Sequence, residues 1–415
     1  MKIVTLTPKQ FDEFAKKHKY RNYFQTVEYA NTITSQGIKV NYIGILNNNK
    51  LIGATLLQQK EVMMNKKIAY APRGILFDYT NSLNLKELAK TLIRVLGKQN
   101  FISLKIDPYI PATVRNKNGK IININKDVNN IMQNLKNAGF IYKGQNKYFE
   151  NEKNRFEGLV LLNDDIRTIY KQLPKRIKHK INRATKAGIT IHVDKEKNID
   201  ELYEFIKNKT KQPKNYYINL INNYKNNCNV YYAILNSDSF VISAKERYEK
   251  ELEKNNLLAK KIQNITNGKI SQKLINHKME SDKLINTYKN ELIKATDLLK
   301  KYPKGIIIGG ALTIDFDNAS YIIIDGYLKN YSNLNSNYLL RWYIINESKN
   351  KEYKYVNMNA LVGEFQKRNP YTNLNETKLD YNAIPTEYIG EFELITDNFS
   401  YKLYNKFNKK NNKTT

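Results

Sequence analysis

Two short stretches of the 415-residue chain place charge where a folded chain can use it. In Tyr70-Ala71-Pro72-Arg73-Gly74, the proline and glycine fix a turn that aims Arg73 sideways. An arginine so held suits a two-pronged grip on phosphate or carboxylate; a plain surface arginine is the alternative. In residues 101–109, FISLKIDPY, an apolar strand ends in Lys105, Asp107 and Pro108. A carboxylate at the end of a buried strand is often functional in α/β folds, and as often caps its loop. A third stretch carries Arg167, Lys171, Lys175, Arg176, Lys178, Lys180, Arg183 and Lys186 with no acid between Ile166 and Val193. Such a ridge can track the phosphates of RNA, or simply face water. The sequence has no G-x-x-x-x-G-K-[ST] loop, no G-x-G-x-x-G loop and no Ser-His-Asp signature. It shows no metal-ligand spacing, and its four histidines are scattered.

The elements that must hold these residues alternate between helix and strand. Helices are expected at 8–18 and 25–33, then a hairpin of strands 40–46 and 50–58 around Asn47–Asn49. A strand at 67–71, a helix at 84–99 and a strand at 101–106 follow, with one more helix and strand in 126–144. This order resembles an acyltransferase domain of the GNAT type, without the pyrophosphate loop of a coenzyme A enzyme. A second strand–helix series starts at 159–162. Residues 175–187 read as an amphipathic helix with Ile177, Ile181 and Ala184 inward, ended by Gly188. A helical pair at 201–223 and strands at 230–235, 305–314, 321–326 and 354–359 complete it. A helix at 337–347 turns Tyr338, Leu339, Trp342 and Ile345 to one side.

Between two of those strands lies a different pattern. In residues 243–302, Tyr248, Leu252, Asn255, Ala259, Ile262 and Thr266 recur at spacings of four and three, as do Ile270, Leu274, His277, Ser281, Leu284 and Tyr288. That is the seam of a coiled coil. Asn267-Gly268 suits a reversal between the runs. Each helix would reach about 40 Å. The reading is an antiparallel helical hairpin inserted into one domain; a dimerisation zipper is the alternative. The resulting division is domain 1 over 1–150, domain 2 over 151–242 and 303–395, the arm over 243–302, and a basic, fraying tail over 396–415.

Charge narrows the partners. The chain holds 69 Lys and Arg against 39 Asp and Glu, a formal net charge of +30. Polyanions are favoured: RNA, DNA, phosphorylated substrates or anionic headgroups. Part of the excess is a bias toward Lys shared with Asn, Ile and Tyr. One cysteine, Cys228, excludes an internal disulfide and a cysteine metal cluster. No apolar run is long enough to span a membrane, and residues 1–10 hold no signal core. The expected location is the cytoplasm, with peripheral contact to the inner face of the plasma membrane open to a basic surface.

Four segments together point to one family. YAPRG at 70–74, LKIDP at 104–108, LPKRIKHKINRATKAG at 173–188 and NETKLDYNAIPTEYIGEF at 375–392 resemble motifs of the FemABX peptidoglycan-bridge aminoacyltransferases. The resemblance runs nearly the full length. It implies an α/β (α+β) fold of two GNAT-like domains with the coiled-coil arm inserted in the second. It implies transfer of an amino acid, glycine before alanine or serine, from aminoacyl-tRNA to the stem-peptide amine of lipid II or UDP-MurNAc-pentapeptide. No cofactor, metal or DNA is implied. Lys378 falls at the family's motif lysine and, with Asp107, is expected to be catalytic. Tyr70, Arg73, Lys105, Lys211 and Tyr381 are the candidates for the precursor. Lys175, Arg176, Lys180 and Arg183 are the candidates for tRNA. Thr377 and Asp380 depart from the family's Phe and Gly, and Asn31, Thr32 and Ile33 stand where some members carry a phosphate-gripping lysine. The competing classes are a non-catalytic RNA-binding protein with a recruiting arm, and an acetyl-CoA-dependent N-acyltransferase.

Overall fold

The computed structural model describes residues 1–63, 65–265, 269–366 and 369–411. The first half runs β1 (Lys2–Thr5), α1 (Pro8–Ala15), α2 (Val27–Thr34), β2 (Lys39–Asn47), β3 (Lys50–Met63), β4 (Lys66–Ala71), α3 (Ser82–Lys98), β5 (Phe101–Ile106), β6 (Pro111–Arg115), β7 (Ile121–Ile124), α4 (Val128–Asn137) and β8 (Ile141–Tyr142). The second runs β9 (Phe156–Leu161), α5 (Ile166–Gln172), α6 (Lys175–Lys186), β10 (Ile189–Asp194), α7 (Asp200–Ile206), α8 (Lys214–Tyr224) and β11 (Cys228–Leu235). The arm, α9 (Ser237–Gln263) and α10 (Gln272–Lys301), comes next. Then follow β12 (Ile306–Phe316), β13 (Ala319–Tyr327), α11 (Ser336–Asn350), β14 (Tyr355–Leu361), α12 (Thr372–Leu379), β15 (Ile384–Tyr388), β16 (Phe392–Ile395) and α13 (Asn398–Asn411).

Local chemistry explains the starts and stops. Thr7 and Gln10 cap α1 reciprocally, with Pro8 in its first turn. On α6 the buried residues are Ile177, Ile181 and Ala184, a single stripe that leaves the basic side chains outward. Gly188 follows at φ +83°, where a side chain would be strained.

There are two mixed sheets, ordered β1-β2-β3-β4-β5-β16-β8 and β10-β11-β12-β13-β14-β9-β15-β6-β7. Each contains four antiparallel strands followed by a parallel one: β4 pairs parallel with β5, and β13 with β14. The second series therefore repeats the first in order. The sheets also trade strands. β6 and β7 precede residue 150 yet belong to the second sheet, whereas β16 near the C-terminus pairs with β5 in the first. A contiguous cut at residue 150 does not follow this pairing. One apolar core is shared across the halves, packing Phe11, Tyr29 and Leu56 with Leu202, Leu220 and Ile314.

The arm leaves and re-enters between β11 and β12, which pair with each other up to Leu235 and Ile306. Bonds from Arg247 to Glu291 and from Asn255 to Ser281 run in antiparallel register. The hairpin is thus intramolecular and inserted; its turn at Asn267-Gly268 lies outside the described residues. Three seam positions are corrected, and Thr266 lies outside the described residues. Leu252 and Ile270 are exposed and so is His277, while Glu251 and Lys278, beside Leu252 and His277, take the half-buried places. The seam is held by a polar cluster: Asn255 donates to Ser281 Oγ and Asp282, and Ser281 donates to Glu251. The base is apolar, with Phe240, Ala244, Ala295 and Leu298 packed on Ala184, Ile189 and Leu235. Another correction concerns the tail, which is helical through Asn411 and anchored at its start by Lys66 to Asp397. No helix among the described residues is long and apolar enough to cross a membrane.

Candidate active site

β4 and β5 are parallel and end in register, Ala71 beside Ile106. Their C-terminal ends therefore deliver the 70–74 turn and Asp107 to one place. Arg73 adopts φ +52°, which turns its N–H toward Asp107. That N–H donates to Asp107 Oδ1 at 2.6 Å, and the Tyr70 hydroxyl donates to Oδ2 at 3.0 Å. Asp107 is 2% exposed. Burial raises its pKa to about 6, opposed by the Arg73 charge and N–H. Half-buried Tyr70 lines a cleft of about 1030 Å³ together with Lys105, Lys153, Tyr29, Tyr216 and Tyr401. A buried carboxylate with a raised pKa, hydrogen-bonded to a cleft-lining tyrosine, is equipped to take a proton from a bound amine through that hydroxyl.

Lys378 sits in the second half. It occupies the last turn of α12, 8% exposed, and its Nζ donates to the Ala360 carbonyl at 2.5 Å. Burial, then the nearby Arg341 charge, lowers its pKa to about 7, with Asp325 opposing. Arg341 binds Asp325 at 2.8 Å and donates to the Thr377 carbonyl at 3.1 Å, fixing the turn that carries Lys378. Lys378 is thus held by a helix and this buried pair. Lys378 and Asp107 do not touch. Glu157 stands between their surroundings, accepting from Arg73 at 2.6 Å and Asn357 at 2.7 Å, and its charge also reaches Lys378.

On α6, Lys175 and Arg183 are exposed. Arg176 is paired with Asp380, and Lys180 donates to the Tyr338 hydroxyl at 2.7 Å.

The profile of the FemAB family matches residues 6–409. The chain belongs to the FemAB family. It is 22% identical over 418 residues to the aminoacyltransferase FemA of Staphylococcus epidermidis, covering 99% of each chain. To FemA of Staphylococcus aureus it is 24% identical over 403 residues, 94% of each. Its fold matches the crystal structure of FemX with a TM-score of 0.71 at 18% identity, over 97% of this chain and 99% of that one. By class the chain is an aminoacyltransferase.

Within this FemAB chain two expected precursor contacts are corrected. Arg73 is not a free grip. Its side chain is 3% exposed, and the guanidinium is bound to Glu157 and to the Asn154 carbonyl at 2.7 Å and laid over the rings of Tyr109 and Tyr388. Burial alone would lower its pKa, but the carboxylates of Glu157 and Asp107 hold it above its ordinary value. Tyr381 is fully buried, its hydroxyl donating to the Tyr338 carbonyl at 2.7 Å, so it packs the core. Lys105 does line the cleft, 3.2 Å from Glu152, and Glu391 and Glu152 raise its pKa against burial. Lys211 is exposed, one residue before the cleft-lining Gln212.

The closing motif has a structural duty that its sequence does not announce. Glu387 accepts from Arg155, from Arg115 Nε at 3.0 Å and from Thr113 at 2.6 Å, and Glu391 accepts the Glu152 N–H at 2.5 Å; just past the motif, Glu393 meets Lys143 at 2.9 Å. Sequence reasoning also missed Glu157, Arg341, Asp325 and Lys153. Arg341 carried a usable signal, a charge among the apolar positions of α11, where Leu340 and Ile344 are fully buried.

Proposed function

We propose that this enzyme transfers an aminoacyl group from aminoacyl-tRNA to the stem-peptide amine of a peptidoglycan precursor. The transferred residue is a small one, glycine first, with alanine or serine as variants. The precursor is lipid II or its nucleotide-linked counterpart, reached at the cytosolic face of the membrane by peripheral contact. The observation that carries this reading is the Tyr70–Asp107 pair at the wall of the cleft, in a chain that matches FemAB over residues 6–409.

The acceptor amine arrives as an ammonium, with an ordinary pKa of about 10.4. It gives one proton to the Tyr70 oxygen as Tyr70 passes its own to ionised Asp107. The neutral nitrogen then attacks the ester carbonyl. The charge that develops on the carbonyl oxygen is met by protonated Lys378, a cation in a dry site. The C–O bond to the ribose breaks, and the ribose oxygen leaves with a second proton from the attacking nitrogen. The exposed cations of α6, Lys175 and Arg183 foremost, take tRNA phosphates. The test is release of labelled amino acid from charged tRNAs, one at a time, onto lipid II and onto the nucleotide-linked precursor. Transfer with a single class of charged tRNA is expected; RNA binding with no transfer overturns the reading.

A further inference from the structure

Lys153 takes no part in the transfer step above, yet it stands at the wall of the same cleft. The loop between β8 and β9 that carries it is pinned on both sides of this residue. The Glu152 N–H donates to Glu391, the Asn154 carbonyl accepts from Arg73, and the Asn154 side chain donates to Asn359 at 2.8 Å. The backbone of Lys153 is thereby held by both sheets. Of the other lysines on this wall, Lys39, Lys105 and Lys143 each meet a glutamate, Glu61, Glu152 and Glu393, and Lys60 is exposed on a strand. Lys153 instead lies 4.0 Å over the ring of Phe24 and 5.8 Å from that of Tyr29. A ring face orients an ammonium without neutralising it. The cation is also near enough to Asp107 for its charge to favour the ionised carboxylate.

A half-buried cation on a fixed loop, steered by aromatic faces and meeting no carboxylate among the described residues, is a built anion seat. We propose that Lys153 binds an anionic group of the acceptor, a phosphate or a stem-peptide carboxylate, and so sets the acceptor amine against Tyr70 and Asp107. This rests on the proposed transfer reaction.

Lys153→Met keeps the stem and removes the charge. The KM for acceptor should rise about tenfold or more, the loss of one charged hydrogen bond, with kcat little changed. Lys153→Arg should recover much of it. The acid limb of kcat/KM should move to higher pH in Lys153→Met, because Asp107 loses a favourable charge. That limb reports the charge beside Asp107, and KM reports acceptor binding. Two acceptors separate the sources. A higher KM for the nucleotide-linked precursor alone names the phosphates; a higher KM for that precursor and for the free pentapeptide names a carboxylate. Unchanged KM for both overturns the proposal. Calorimetric binding of the nucleotide-linked precursor to wild type and Lys153→Met keeps the two readings apart. Wild type that binds tightly without transferring sinks the transfer reaction, while equal binding by both sinks the role of Lys153.

Discussion

Burial brings Asp107 and Lys378 toward each other in acidity, one up to about 6 and the other down to about 7. If Asp107 acts ionised and Lys378 acts protonated, kcat/KM should follow a narrow bell with its limbs near those values. Lys378→Met should lower kcat roughly 100- to 1,000-fold, the range for losing one oxyanion donor, and leave KM nearly unmoved. Its stability effect has a definite sign. Between pH 7 and 10.5 the folded chain carries fewer protons on Lys378 than the unfolded chain, so stability rises with pH across that window. Below pH 7 the burial cost is fully present. Lys378→Met should therefore melt highest relative to wild type at or below pH 7, with the margin shrinking toward pH 10. A constant margin would mean that Lys378 is not held at a lowered pKa. Of these two residues only Asp107 was legible from local pattern, as a carboxylate ending an apolar strand. The state of Lys378 depends on Asp325 and Arg341, which lie 53 and 37 positions away.

At the level of elements, the distal arm is the separable part. Ala295 and Leu298 belong to an apolar cluster with Phe240 and Leu235, so cutting the whole arm would open the core. Removing residues 248–290 and closing Arg247 to Glu291 with a short turn keeps that base. The melting temperature should then change by less than about 4 °C. A larger loss, or loss of cooperativity, would place the distal arm in the core. For α6, changing Lys175, Arg176, Lys180 and Arg183 to Gln should raise KM for charged tRNA. It should also flatten the log–log salt dependence by up to about 0.9 for each phosphate no longer neutralised. Lys175 and Arg183 should carry most of this, since Arg176 and Lys180 already have protein partners; an unchanged slope would leave the ridge a solvated face. β5 and α6 were readable to within a residue, whereas β3 runs five residues past its expected end and α1 stops three short. β6 and β7 were not: Ile121, Ile122 and Ile124 are exposed, so no alternation marks the strand.

The whole molecule is tied together by charge as well as by strand exchange. Arg73 on the first sheet's turn meets Glu157 on the second sheet's β9, both nearly dry. Glu387 on β15 gathers Arg155 and Arg115. Arg73 and Glu387 both lie far in sequence from their own partners, which is why Arg73 read as a free grip and the closing motif as a signature without a duty. Glu157→Gln removes the ion-pair partner of a buried arginine and should cost about 3–5 kcal/mol. Because a core and both edges are shared, calorimetry of the variant should still show one transition; two would mean that the halves fold apart.

In the proposed reaction Asp107, through Tyr70, takes the proton of the acceptor amine during aminoacyl transfer. This is read most directly in the rate of labelled amino acid transfer from charged tRNA to precursor by wild type and by Asp107→Asn, at matched folding by melting curve. Wild type should transfer, and Asp107→Asn should fall by about 100- to 10,000-fold in kcat/KM and lose the acid limb near pH 6. Transfer by Asp107→Asn at the wild-type rate, or a wild type that transfers nothing, would contradict that role.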